Sequence, residues 1–277
     1  MESRFDLRRY LRRNRLAAKR VRSFSPPFLL ERRFERVVRR LIREWSVVLN
    51  ESIIPQYARA RRILVEEDEI GVLFGGQAAI NRVNRELEKA AARTAEFARR
   101  LHPSLEAAAI ELADWHRKRF IASIKEASKV NVEPFLSLRE TQTILSQYVQ
   151  RNVALIKGLD AELAKKVEVA VIDSMNSRYA VSRLRKRLVD DLGFASGRAR
   201  IIARDQVMKY TTSLDRFRME QLGIDKFVWV YTWRSKEPRQ HHIARDGTVY
   251  AWNSLPEDGA PGDAIGCQCR AQAHLEQ

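Results

Sequence analysis

Two adjacent histidines, His241 and His242, and the two cysteines of the chain, Cys267 and Cys269, lie close together in the C-terminal part of the sequence. Imidazole nitrogen and thiolate sulfur are the donors of structural zinc, so zinc in a structural role is the cofactor this set suits. The candidate ligands are His242, Cys267, Cys269 and His241. Cys-x-Cys is a less usual spacing than Cys-x2-Cys, and adjacent histidines on an extended strand point to opposite faces, so only one of the pair would ligate easily. A fourth donor would come from the other histidine, from His274, or from a carboxylate such as Asp246 or Asp263. The plainer reading makes the cysteines small core residues and has the histidines satisfy loop backbone groups. The one-residue spacing is too tight for an ordinary disulfide, which points to a reducing compartment.

The same cluster supplies the alternative of a metal-dependent nuclease or other nucleic-acid-processing enzyme, in which an open zinc position activates water. The rest of such a site is missing from the sequence. No acidic cluster suited to two metals accompanies the histidines, and Glu66, Glu67, Asp68 and Glu69 read as a solvated helical face. There is no Gly-x-Ser-x-Gly elbow, P-loop or dinucleotide fingerprint, and His102 and His116 stand alone on helical segments. The chain reads as a protein that is not an enzyme.

A second chemistry sits at the other end. The net charge is +16, from 51 basic and 35 acidic residues, and most of the excess falls in the first 50 residues, where all but one of the basic side chains are arginine. Guanidinium groups grip phosphate in bidentate fashion and stay charged. Arg8, Arg9, Arg12, Arg13, Arg15, Lys19, Arg20 and Arg22 are thus the candidate DNA-binding residues, part of an arm that begins at Arg4. Contacts of this kind hold the phosphate backbone without reading sequence. The bland alternative pairs the same arginines with acidic surfaces of a protein partner. The apolar stripe of Leu7, Leu11, Ala18 and Val21 is narrow and carries no Trp, which ranks a membrane surface below phosphate. No apolar run approaches the ~18 residues of a membrane span, and the start of the chain does not read as a secretory signal.

The elements that must position these groups are nearly all helical. After Ser25-Pro26-Pro27, residues Leu30, Phe34, Val37, Val38, Leu41, Ile42, Trp45 and Leu49 form one apolar helical face, which Pro55 ends or bends. Further helices are expected at about 56–69, 77–101 and 104–128, divided by Gly75-Gly76 and Pro103. Ser137 and Glu140 form a capping-box signature for a helix to about Lys157 with Ile144, Leu145, Tyr148 and Val149 inside. Asp160 is placed as the cap of the next helix, followed by segments at 179–191 and 196–222, the last closed by Gly223. Beyond it, Lys226 to Trp233 and Thr248 to Trp252 read as strands, the second introduced by the Asp246-Gly247 turn, and residues 254–266 as a Pro/Gly-rich loop. The fold class is mainly α, with an elongated helical N-terminal region and a small C-terminal α+β module. The boundaries are 1–24 for the basic arm, 25–190 for the helical domain and 191–277 for the module.

The residues of that module, in order, resemble a known family. Arg198-Ala199-Arg200-Ile201-Ile202-Ala203-Arg204-Asp205-Gln206 is similar to an "Ile-Ala-Arg-Thr-Glu" helix, with Asp-Gln replacing Thr-Glu. The Trp-containing strand Val228 to Thr232 follows, then Arg239 to Gly247, similar to Arg-x-x-His-x-x-x-Asp-Gly, then Pro261-Gly262 and a Cys-x-Cys-Arg close at Cys267, Cys269 and Arg270. The series resembles the phage Mu F-like head morphogenesis proteins, minor capsid components of tailed phages. Its motif residues here are Arg204, Arg239, His242, Asp246, Gly247, Cys267, Cys269 and Arg270. The resemblance implies a structural protein of the virion interior, present in several copies, with the portal protein, the inner capsid and packaged double-stranded DNA as partners. It also implies a part in head assembly and in DNA packaging or ejection.

Overall fold

The protein is described by a computed structural model covering residues 5–66, 69–136, 138–233 and 238–275. Arg4, Glu67, Asp68 and the capping residue Ser137 lie outside the described residues. Helix α1 spans Leu7–Arg13, α2 Phe28–Val48, α3 Ile54–Glu66, α4 Glu69–Arg100, α5 His102–Ser128, α6 Leu138–Asn176 and α7 Val181–Gln221. Strand β1 (Lys226–Val230), the short helix α8 (Gln240–Ala244), β2 (Val249–Ala251) and β3 (Arg270–Ala273) complete the order. The mainly helical class with a small C-terminal sheet is thus borne out, and among the described residues no helix is long and apolar enough to cross a membrane.

The eight apolar residues expected on the α2 face are all buried. Where that face runs out, Leu49–Ile53 form a wide π turn before α3 starts. Pro55 in the first turn of α3 accounts for it: it has no N–H to give, and its ring would crowd the carbonyl four residues earlier in a tight ladder. Elsewhere the helices are longer than local signals imply. Helix α4 runs through Gly75-Gly76, and α7 runs through Gly193 and Gly197, merging two expected segments. An internal glycine costs about 1 kcal/mol, and buried residues on either side, such as Leu188, Ala195 and Ala199, outweigh that. Asp160 does not cap a helix. It sits inside α6, 5% exposed, and accepts a hydrogen bond from Trp45 Nε1 at 2.8 Å.

Two compact units partition the chain, and they cut across the boundaries drawn from sequence. One comprises Glu35–Leu105 and Arg151–Arg200. Its interior includes Trp45, Ile53, Tyr57, Val83, Leu163 and Val171. Tyr57 Oη, 2.6 Å from the Tyr179 carbonyl and 3.0 Å from that of Ser174, ties α3 to the end of α6.

The other unit comprises Met1–Phe34, Glu106–Gln150 and Ile201–Gln277, so the N-terminal arm and the C-terminal sheet share one core. The arm is a built part of that core, because its stripe of apolar residues has somewhere to go. Leu7, Leu11 and Val21 are buried with Phe120, Ile124, Met219, Leu222 and Phe227. Asp6 caps α1 by accepting from Arg9 N at 2.8 Å, and Leu7 N donates to the Leu222 carbonyl at 2.9 Å. At that junction Gly223 closes α7 with φ +67, and a Cβ there would meet Asp6 Cγ at 3.0 Å, so only glycine allows both the turn and the contact.

The sheet is antiparallel in the order β2-β1-β3. Val228 pairs with Val249 on one side and Gln272 on the other, and Trp229 lies opposite Ala271. The β-branched and aromatic run after Gly223 formed the expected strand, but it stops at Val230, and β3, which begins at the Arg of the Cys-x-Cys-Arg close, supplies the third strand.

Candidate functional site

The pleat of the sheet sorts the C-terminal side chains into two groups. Trp229 shares a face with its partner Ala271, and Val230 shares the opposite face with Arg270. The Trp229 side holds the His/Cys cluster. The histidines lie not on an extended strand but on α8, a single helical turn, and this changes which way they point. His242 is 3% exposed and packs edge-on against the Trp229 indole at 5.2 Å, while His241 is exposed. Cys267 and Cys269 are buried, at 3% and 2% exposure. His242 Nδ1 lies 3.4 Å from Cys267 Sγ and 3.6 Å from Cys269 Sγ. Its other nitrogen, Nε2, lies 2.7 Å from Asp258 Oδ2, to which His241 Nε2 also comes within 3.1 Å.

The electrostatics follow from those contacts. Burial alone would raise the Asp258 pKa, but hydrogen bonds from His242 and Arg245, and the Arg245 charge, bring it down to about 2. A carboxylate accepts only, so Nε2 is the nitrogen of His242 that donates to Asp258, and Nδ1 is the one that faces the two sulfurs. The Cys269 thiol donates to Cys267; against the effect of burial, this and the backbone N–H groups of Cys269 and Gly262 lower the Cys267 pKa. Cys269, which holds the shared proton in a buried position, is raised.

Of the four candidate ligands the fold gathers His242, Cys267 and Cys269, while His241 joins a neighbouring group with His242 and Asp258. Of the other donors considered, Asp246 accepts from Tyr231 N at 2.9 Å, Asp263 accepts from Ala260 N at 2.9 Å, and the half-buried His274 is not part of the group. Asp258 was missed from sequence, for it lies in an irregular loop where no periodicity marks it.

The loop that delivers Cys267 is pinned to α7. Asp205 accepts from Gly266 N at 2.9 Å, and Thr212 Oγ1 donates to the Pro261 carbonyl at 2.5 Å. Asp205 stands where the motif has Thr, so the substituted pair still joins helix to loop. Two of the remaining motif residues bond to backbone carbonyls. Arg239 donates to the Ile265 carbonyl at 2.9 Å, and Gly247 N donates to the Trp229 carbonyl at 2.8 Å. Arg204 is half-buried, and its Nε has no hydrogen-bond partner among the described residues.

On the opposite face of the sheet, Arg270 donates to Asp215 Oδ2 at 2.9 Å. Asp215 Oδ1 lies 2.8 Å from His116 Nε2, and Arg218 donates to His116 Nδ1 and, at 3.0 Å, to the Ala113 carbonyl. All four side chains are at most 2% exposed. His116 therefore does not stand alone. Burial first of all, with Arg218 and Arg270 adding to it against Asp215, lowers its pKa to about 4. The only sequence signal was the set of charges itself, dispersed over α5, α7 and β3.

The arm presents most of its basic residues outward. Arg9, Arg12, Arg13, Arg15, Lys19, Arg20 and Arg22 are exposed, whereas Arg8 is half-buried and paired with Asp225. Arg22 lies 3.4 Å from Glu126. Arg8, Arg12 and Arg15 line a groove of about 630 Å³ together with Leu11, Leu16 and Leu275.

Comparison with known proteins bears on the C-terminal part. Residues 165–272 match the family described as Phage Mu protein F like protein, a span that starts within α6, ahead of the motif series. An uncharacterized protein of Haemophilus influenzae is 32% identical over 120 residues, covering 43% of this chain and 26% of that protein, so the match spans about a quarter of the relative's length. No solved structure matches. From residue 165 to residue 272, then, the chain is similar to the phage Mu protein F-like family, as its ordered motifs imply.

Proposed function

We propose that this chain is a minor head protein of a tailed phage or prophage, acting in head morphogenesis. In this reading it sits inside the capsid near the portal, in several copies, and takes part in DNA packaging or ejection. It makes or breaks no bond. The observation that carries the reading is the family match over 165–272, which falls on the sheet, the cysteine loop and the helix that pins them. The arm supplies the contact with double-stranded DNA. Its partition supports this role, since Leu7, Leu11 and Val21 are consumed by the core while seven basic side chains remain exposed. Such a surface neutralises phosphates of any sequence.

The test joins assembly to binding. Prophage heads produced without this chain are expected to be defective or DNA-poor, and the purified chain is expected to bind portal protein. Fully infectious particles assembled in its absence would end the reading. Incubation with duplex DNA and divalent ions addresses the nuclease alternative, and cleavage abolished by His242→Ala would reverse the assignment. The burial of His242, Cys267 and Cys269 speaks for a structural cluster, since a substrate phosphate would have to reach them.

A further inference from the structure

We infer that His242 Nδ1, Cys267 Sγ and Cys269 Sγ are three ligands of a structural zinc ion that closes the C-terminal module. The inference stands apart from the head-protein reading, since it rests on donor chemistry and distance alone. Zn–S bonds of about 2.3 Å and Zn–N bonds of about 2.0–2.1 Å, set at the tetrahedral angle, place sulfur and nitrogen about 3.5 Å apart. The observed separations of 3.4 and 3.6 Å are the edges of that tetrahedron.

Three further features fit the ion. Nδ1 faces the sulfurs while Nε2 is held by Asp258, which is the carboxylate–histidine–metal arrangement of zinc sites. The two thiolates balance the dication, and Arg245, 2.6 Å from Asp258 Oδ1, balances the supporting carboxylate, so the assembly adds no net charge to a buried place. The ligands also come from α8, from the loop after Gly266 and from the residue before β3, segments with little regular structure of their own to hold them together. A zinc ion joins them at one point. Among the described residues no other His, Cys, Asp or Glu donor stands within reach of all three.

A thiol–imidazole hydrogen bond without metal predicts different results, as does a Cys267–His242–Asp258 catalytic triad. The full untagged chain, purified in reducing buffer without chelator, is expected to contain close to one zinc per chain by elemental analysis. Replacement by Co(II) is expected to give the visible bands of a tetrahedral site together with thiolate-to-cobalt charge transfer. Cys267→Ser and Cys269→Ser should each bring zinc below a tenth of an equivalent. Asp258→Asn should keep the metal but weaken its affinity about 10–100-fold, which a merely structural aspartate would not do. Should the serine variants fail to fold, the Co(II) spectrum of the unaltered chain decides. Less than a tenth of an equivalent of zinc, with no thiolate charge-transfer band on Co(II) titration, overturns the inference, and so does a stoichiometric metal other than zinc.

Discussion

His116 and its partners show how little a residue's type says about its role until its neighbours are known. The ring is fully buried between one carboxylate and two guanidinium groups, and it is neutral there, with Arg218 donating to Nδ1 and Nε2–H directed at Asp215. Its pKa of about 4 lies below the ordinary value near 6.5, so between those limits the unfolded chain binds more protons than the folded one. Stability is complete above about pH 6.5 and falls as the pH drops toward 4, by on the order of 3 kcal/mol. Urea titrations across that window should show the decline, and His116→Gln, less stable throughout, should show a flatter profile. Asp215→Asn removes the anion that both arginines face and is expected to cost about 3–5 kcal/mol, read as a lower urea midpoint at pH 7. An Asp215→Asn chain as stable as the parent would mean that the network contributes nothing to the fold.

Among the elements, α7 organises the C-terminal module, and a close approach to it tests that claim. Gly262 has φ +93, and a Cβ at this position would lie 2.8 Å from Thr212 Oγ1, the group that holds the Pro261 carbonyl. Gly262→Ala therefore meets both backbone strain and a clash, and a loss of about 2–4 kcal/mol is expected in thermal unfolding. Within the all-helical unit, Trp45 and Asp160 make the comparable link between α2 and α6. Trp45→Phe keeps the ring and removes the N–H, so the cost should be that of a weakened buried hydrogen bond, about 1–3 kcal/mol. A double-mutant cycle with Asp160→Leu should show coupling between the two sites, and simple additivity would sever the link.

For the molecule as a whole, the arm's place in the core is separable from the role in DNA binding proposed for its exposed side chains. Deleting it would expose the core residues that pack on Leu7, Leu11 and Val21, so truncation would disturb the fold along with any binding of DNA. Replacing Arg9, Arg12, Arg13 and Arg15 by Gln leaves the buried residues in place. Each phosphate that is no longer neutralised lowers the slope of log affinity against log salt by about 0.9, so four such phosphates correspond to roughly 3–4. Fluorescence anisotropy with duplexes of unrelated sequence should show this fall equally for all of them. Affinity and salt slope unchanged by the four substitutions would exclude the arm from DNA binding.

Much of the molecule was legible from the order of its residues. The apolar face from Leu30 to Leu49, the C-cap at Gly223, the strand after it and the ordered motif series all rest on local periodicity, backbone preference or fixed spacing, which a linear sequence displays directly. Other features came only with the tertiary structure. Helices α4 and α7 run through their glycines because packing outweighs a weak local penalty. Asp160 turned from a cap into a partner for Trp45, and the arm became part of the core under the sheet. Asp258 was brought to His242, and His116 to Asp215, by segments distant in sequence. Local signals act over one helical turn or one strand pair. Burial and charge pairing are decided only when distant segments meet, and here the ligand geometry and the buried ionic network depend on that meeting.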